Sequence, residues 1–287
     1  MTAKETMMGY KTILAVVDTP ATAAQVTDFA AALADQFSAH VIGIHAETLA
    51  AVTVIAPMEI PDPTAVLALQ EMAQTETSSV EKIFKDRIAL NNASSDWRSF
   101  LSSAGYNTSP VLDSARAVDL IVASQGDSSA LSDSRSDLEN FLFESGRPVL
   151  LVPYIMKQPK PIKRVLIAWN GSREATRATF DALPFLKAAD TVKVFSVDPP
   201  EKSTHPSYLA GADIAATLAR HGVNVTISAL DTEGQKPSAA IESRLSNNSI
   251  DLLVMGAYGH SRWWEMLFGG VTRSLIDKMT ALTLLSR

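Results

Sequence analysis

The chain has 287 residues, enough for two domains of ordinary size, and its 46% hydrophobic and 20% charged content describes a soluble globular protein. A net charge of −6 argues against a broad nucleic-acid-binding surface, and the absence of cysteine excludes disulfides, thiolate catalysis and cysteine-ligated metal. The N-terminus has no apolar signal core, and the first apolar run, Ile13 to Val17, is far too short to span a bilayer; the expectation is a cytoplasmic protein with no membrane or nucleic-acid partner.

In chain order, short apolar runs alternate with helical stretches. Strands are expected at Ile13–Val17, Val41–His45, about Trp97–Leu101, Leu120–Ala123 and Val149–Val152. Pro153 to Pro161 holds three prolines in nine residues and reads as a stiff extended linker. A second series follows. Val165–Trp169 is a strand, and Ser172 is the N-cap of a helix running to about Ala189. Thr191–Val197 is a strand, Tyr208–Arg220 a helix stopped by Gly222, and Val223–Ala229 a strand. Ser238 caps a helix to Asn247, Leu252–Met255 is a strand, Val271–Lys278 a helix and Leu282–Leu285 the last strand.

The two series are copies of one pattern. Lys11-Thr-Ile-Leu-Ala-Val-Val-Asp18 matches Lys163-Arg-Val-Leu-Ile-Ala-Trp-Asn170, and Val118-Asp-Leu-Ile-Val-Ala123 matches Ile250-Asp-Leu-Leu-Val-Met255. The offset falls from 152 positions (Lys11 to Lys163) to 132 (Val118 to Ile250), so the first copy carries about 20 extra residues between its first and fourth strands. So long a period means duplicated domains rather than a solenoid. Continuous apolar strands separated by helices mean parallel sheets covered on both faces. The fold class is therefore α/β, with two tandem doubly wound five-stranded parallel-sheet domains over 1–153 and 162–287. Ligands of such sheets sit beyond the carboxyl ends of the strands, at the topological switch point.

The second copy carries a candidate site at such a carboxyl end. Gly256 and Gly259 follow the strand Leu252–Met255, and Gly269-Gly270-Val271-Thr272 opens the next helix. Glycines let a backbone turn tightly and approach a ligand, and a helix start offers free N–H groups to an anion. The bland role of these glycines is loop geometry. Asn170-Gly171-Ser172 likewise suits a turn plus N-cap as well as a ligand contact. Ser124 stands opposite Gly256 in the first copy, and Asp127 and Asp137 would repel phosphate there. No Gly-x4-Gly-Lys-Ser/Thr phosphate loop, nucleophile elbow or His-x3-His spacing occurs, so no catalytic or metal-binding residue is named.

The Gly256-x2-Gly259-x9-Gly269 spacing after the fourth strand resembles the universal stress protein family in its tandem form, whose fold is adenine nucleotide alpha-hydrolase-like. Gly270 stands where the nucleotide-binding members carry Ser or Thr. The resemblance implies a stress-response regulatory protein that binds adenine nucleotide, ATP with Mg2+, in its second domain alone. Its implied nucleotide-binding residues are Asn170, Val197, Met255, Gly256, Gly259, Gly269, Gly270, Val271 and Thr272. It implies at most slow ATP hydrolysis, pairing of the two halves through Val149–Val152 and Leu282–Leu285, and a homodimer of such chains. The alternative is a ligand-free structural or interaction protein of the same fold.

Overall fold

The computed structural model describes residues 9–49, 63–103, 108–125, 140–198, 211–232, 236–257, 275–276 and 278–287. The chain forms two compact units, one of Tyr10–Arg147 and one of Pro148–Arg287.

The first unit runs β1 (Thr12–Val16), α1 (Pro20–Phe37), β2 (His40–Leu49), α2 (Pro63–Asn91), β3 (Ser95–Ser103), α3 (Thr108–Arg116) and β4 (Leu120–Ser124), then a single π turn at Phe141–Ser145. The parallel strands lie in the order β3-β2-β1-β4. β1 is solvent-inaccessible from Ile13 to Val17, as its apolar run requires of a strand covered on both faces. α1 starts where Thr19 accepts a hydrogen bond from the Thr22 amide and Pro20 opens the first turn, and Ser38 ends it in the left-handed region. Arg87 of α2 ties that helix to α1 through Asp28, with Nε donating to Oδ1 at 2.7 Å. The extra length of the first copy lies largely here: α2 has 29 residues.

The second unit runs β5 (Val149–Val152), β6 (Arg164–Ala168), α4 (Arg173–Asp181), α5 (Leu183–Ala188), β7 (Thr191–Val197), α6 (Ala212–Arg220), β8 (Val225–Leu230), α7 (Pro237–Asn247), β9 (Leu252–Gly256) and β10 (Leu282–Ser286). Its sheet has the order β5-β10-β9-β6-β7-β8. All pairings are parallel except β5 with β10, which run antiparallel with Leu150 opposite Leu284. Val149–Val152 and Leu282–Leu285 thus pair by backbone hydrogen bonds, and each gives the other a covered edge.

One device is repeated in both units. Asp119, just before β4, accepts from the amides of Lys11 and Thr12 at 2.7 and 3.0 Å. Asp251, just before β9, accepts from the amides of Lys163 and Arg164 at 3.1 and 2.9 Å. Each carboxylate satisfies two donors where a strand begins and pins the fourth strand of its copy to the first.

Three helix expectations are corrected. The helix begun by Ser172 does not run unbroken to Ala189; it divides at Ala182 into α4 and α5, because Pro184 sits in the first turn of the second piece and cannot donate within a continued helix. α7 is capped at Lys236 in extended conformation with Pro237 at its start, and Ser238 lies buried inside the first turn, so Ser238 is not the cap. α6 begins after Gly211, whose φ of +84° is left-handed; 208–210 lie outside the described residues. Of the helix expected at Val271–Lys278, Leu275 and Ile276 are helical.

Candidate functional site

The strand order makes the switch point explicit. From β6 the chain moves outward through α4 and α5 to β7 and through α6 to β8, then returns by α7 to β9 on the other side of β6. The crevice of the second unit therefore opens between the carboxyl ends of β6 and β9. Asn170 follows β6 and Gly256 ends β9, so the two residues flank that crevice.

Asn170 is exposed, and its Oδ1 accepts from the Ser172 amide at 3.0 Å. Gly171 has φ +73°, and Ser172 caps α4 by accepting from the Ala175 amide at 3.1 Å. The turn-plus-cap reading of Asn170-Gly171-Ser172 is thus realised. Val197 is half-buried at the end of β7, and Met255 is buried in β9. Met255, Ala168 and Phe195 are in register across β9, β6 and β7, and Arg244 of α7 stacks 4.9 Å from the Phe195 ring centre, so Met255 faces the α7 side of the sheet. Gly259, Gly269, Gly270, Val271 and Thr272 lie outside the described residues.

Gly256 faces the opposite side, toward α4. A Cβ there would stand 2.5 Å from the Ala175 nitrogen and 2.5 Å from the Glu174 carbonyl carbon. Both are backbone atoms of the first helical turn and cannot swing away. Glycine is required so that α4 can start directly against the end of β9. Ser124 holds the matching place at the end of β4, so this close approach distinguishes the second unit.

Other groups on this side were not singled out in the sequence. Glu174 is 7% exposed, and its Oε1 takes two hydrogen bonds from the Arg173 guanidinium at 3.1 and 3.3 Å. Its place in the first turn of α4 suits the positive end of the helix dipole. Ser286 pairs with Gly256, and Ser196 lies one residue beyond Phe195, so both point to the same side of the sheet as Gly256. Their hydroxyls are buried at 1% and 3% residue exposure and have no hydrogen-bond partner among the described residues. The carboxyl ends of β7 and β8 are locked by Asp198: Thr232 donates from its hydroxyl to Oδ2 at 2.6 Å and from its amide to Oδ1 at 2.7 Å. The Thr232 hydroxyl first, then its amide, hold the Asp198 carboxyl below its usual range. Asp198 adopts φ +46°, a left-handed conformation uncommon outside glycine.

The first unit is built differently at the same end. His45, on β2 and buried, donates Nδ1–H to the Val17 carbonyl at 2.8 Å and sets Nε2 3.4 Å from Glu47 Oε2. Ser124 closes β4, and Asp127, Ser136 and Asp137 lie outside the described residues. Among the described residues no group of three or more His, Asp or Glu is placed to hold a metal ion, and no helix is long and apolar enough to cross a membrane.

Residues 161–285 match the model of the universal stress protein family. A curated universal stress protein of Synechocystis is 26% identical over 163 residues, covering 55% of this chain and 54% of that protein; the chain thus spans about half the length of the curated relative it matches. Among solved structures, a universal stress protein from Archaeoglobus fulgidus superposes with a TM-score of 0.64 at 14% identity, covering 96% of each chain. A functionally unknown protein from Pseudomonas aeruginosa gives a TM-score of 0.55 at 15% identity, covering 97% of this chain and 92% of the other. At such identities the superpositions speak for the fold, which is that of these proteins. Over residues 161–285, somewhat under half of its length, the chain is similar to the universal stress protein family.

Proposed function

We propose that the second unit binds an adenine nucleotide, ATP with Mg2+, in the crevice between the carboxyl ends of β6 and β9, and that the chain acts as a stress-response binding protein with at most slow ATP hydrolysis. The observation that supports this most is the placement of Gly256. It ends β9 at the switch point, and the segment bearing Gly259, Gly269 and Gly270 leaves from it. The same side of the sheet carries the buried hydroxyls of Ser196 and Ser286 without protein partners among the described residues, and buried hydroxyls of this kind ordinarily meet water or ligand. Asn170 opposite, whose amide nitrogen makes no hydrogen bond among the described residues, suits a base or ribose hydroxyl. Val197 and Met255 supply apolar surface at the strand ends.

A second reading is favoured by a specific finding. Gly256 is already accounted for by the contact with Glu174 and Ala175, and Asn170 by its turn, so a ligand-free interaction protein would keep both residues. Mass spectrometry of small molecules released when the purified full chain is denatured separates the two. Release of an adenine nucleotide in near-stoichiometric amount is the expected result; no nucleotide released, together with no uptake of added ATP, favours the ligand-free protein.

A further inference from the structure

The end of the second unit opposite the candidate crevice has a charge pattern that nucleotide binding leaves unexplained. The 29 residues between Glu144 and Glu174 hold six Lys or Arg and no Asp or Glu, in a chain whose net charge is −6. Three of the six lie on the segment joining β5 to β6 and a fourth, Arg164, opens β6. Lys157, Lys160, Lys163 and Arg164 are all exposed. The register fixes where they lie. The Thr191 amide bonds the Lys163 carbonyl and the Asp251 amide the Arg164 carbonyl, so this is the end where β6, β7 and β9 begin. Helices of an α/β sheet run back toward strand starts, and two of them finish here with exposed cations: Lys187 in the last turn of α5 and Arg220 in the last turn of α6. Among the described residues around these strand starts, Asp190 is the exposed acid, while Asp251 is buried, accepts from the Lys163 and Arg164 amides and pairs with the Arg164 guanidinium at 3.6 Å, which leaves the lysines as the uncompensated charge.

Basic residues at helix ends are explained by the helix dipole. The linker lysines are not in a helix and have no such reason. Beside them stand two large apolar side chains turned outward, Tyr154 at 61% exposure and Ile155 at 48%. An aromatic and an aliphatic residue exposed next to lysines are what an anionic bilayer surface takes up. The ammonium groups meet the lipid phosphates, and the apolar pair enters the boundary between headgroups and acyl chains. A nucleic acid would use the charge but would leave Ile155 without a partner.

We infer that the linker Pro153–Arg164 and the adjoining strand starts form a reversible docking surface for anionic phospholipid membranes. The attachment is peripheral, made by charge with Tyr154 and Ile155 as a shallow wedge, and it leaves the crevice at the other end of the strands open. Each lysine near such a surface is worth about fivefold in partition at moderate salt. K157Q/K160Q therefore lowers binding by about 25-fold.

The test is cosedimentation of the full chain with vesicles of phosphatidylcholine alone and of phosphatidylcholine mixed with phosphatidylglycerol, at low and high salt. Three proteins are compared: the wild type, K157Q/K160Q and Y154S/I155S. All four positions are exposed, and circular dichroism checks that each variant is folded. Binding to the anionic vesicles only, lost in high salt, strongly reduced in K157Q/K160Q and weakened in Y154S/I155S, is the expected result. Absence of binding to anionic vesicles at low salt overturns the inference, as does binding that neither variant changes. Retention on RNA or an acidic polymer with no uptake by vesicles also overturns it, by assigning the surface to a different partner.

Discussion

At the scale of single residues, Gly256 carries the sharpest constraint. An alanine methyl there would meet two backbone atoms at 2.5 Å, so α4 or β9 must shift. Gly256→Ala is expected to cost about 1–3 kcal/mol, the range for overpacking a close-packed interior. Ser124→Gly, the reverse change at the matching place in the first unit, is expected to cost about 0.5–1 kcal/mol through chain entropy alone. Urea denaturation of the two variants measures both, and equal small losses would show that the tight helix–strand approach is not rigid. Asp198 gives a pH-dependent expectation. Its folded-state pKa is lowered, so the carboxylate contributes stability that is fully present above the unfolded value of about 3.9 and is lost as pH falls through the folded value. The window therefore lies in acid, below the usual carboxylate range. Thr232→Val removes the hydroxyl that is the largest cause and raises the Asp198 midpoint; carbon-detected NMR titration reads it, and an unmoved midpoint would assign the lowering to the Thr232 amide.

At the scale of elements, much of the molecule was legible. β1, β4, β5, β6, β9 and β10 follow their continuous apolar runs to within a residue, because a parallel strand buried on both faces admits few polar residues, whereas β2 and β3 run on into polar sequence and β8 is largely exposed. The repeated Asp at 119 and 251 was visible as part of the duplicated pattern, but its work was not. That it accepts two amides of the neighbouring strand is a consequence of sheet order, which one strand's sequence does not carry. Asp119→Ala and Asp251→Ala are each expected to lose about 1–3 kcal/mol, since two strand amides are left without their acceptor. A double-mutant comparison by thermal or chemical unfolding checks that the two costs add, as they should for separate copies of one device. The break between α4 and α5 was less legible: Pro184 was in plain view, yet the apolar spacing on either side of it continues as one helix would. The cap of α7 was misplaced for a related reason. Ser238 has the chemistry of a cap, but Pro237 before it is preorganised for the first helical position and moves the boundary to Lys236.

At the scale of the whole molecule, the two copies share a strand order and a strand-clamping aspartate but differ at the carboxyl ends of their strands. The carboxyl end of the second unit has glycine at the end of β9, an N-capped helix packed against it and buried hydroxyls beside it. That of the first unit has Ser124 at the end of β4 and the buried His45–Glu47 pair. The sequence points to the carboxyl end of β9 because the glycines follow a recognisable strand. It did not show Glu174, since a carboxylate in a first helical turn ordinarily faces solvent, and its burial depends on how closely α4 meets β9. The proposed function places one nucleotide in each chain, limited by the glycine at 270 where a hydroxyl would otherwise meet phosphate. A hydrogen bond to a charged group is worth about 1.5–3 kcal/mol, so Gly270→Ser is expected to tighten binding about tenfold or more. Calorimetric titration of the full chain with Mg-ATP, wild type beside Gly270→Ser, is the most direct test. A single saturable site per chain, tighter in the variant, is expected; two sites per chain, or no heat of binding in either protein, would overturn the assignment.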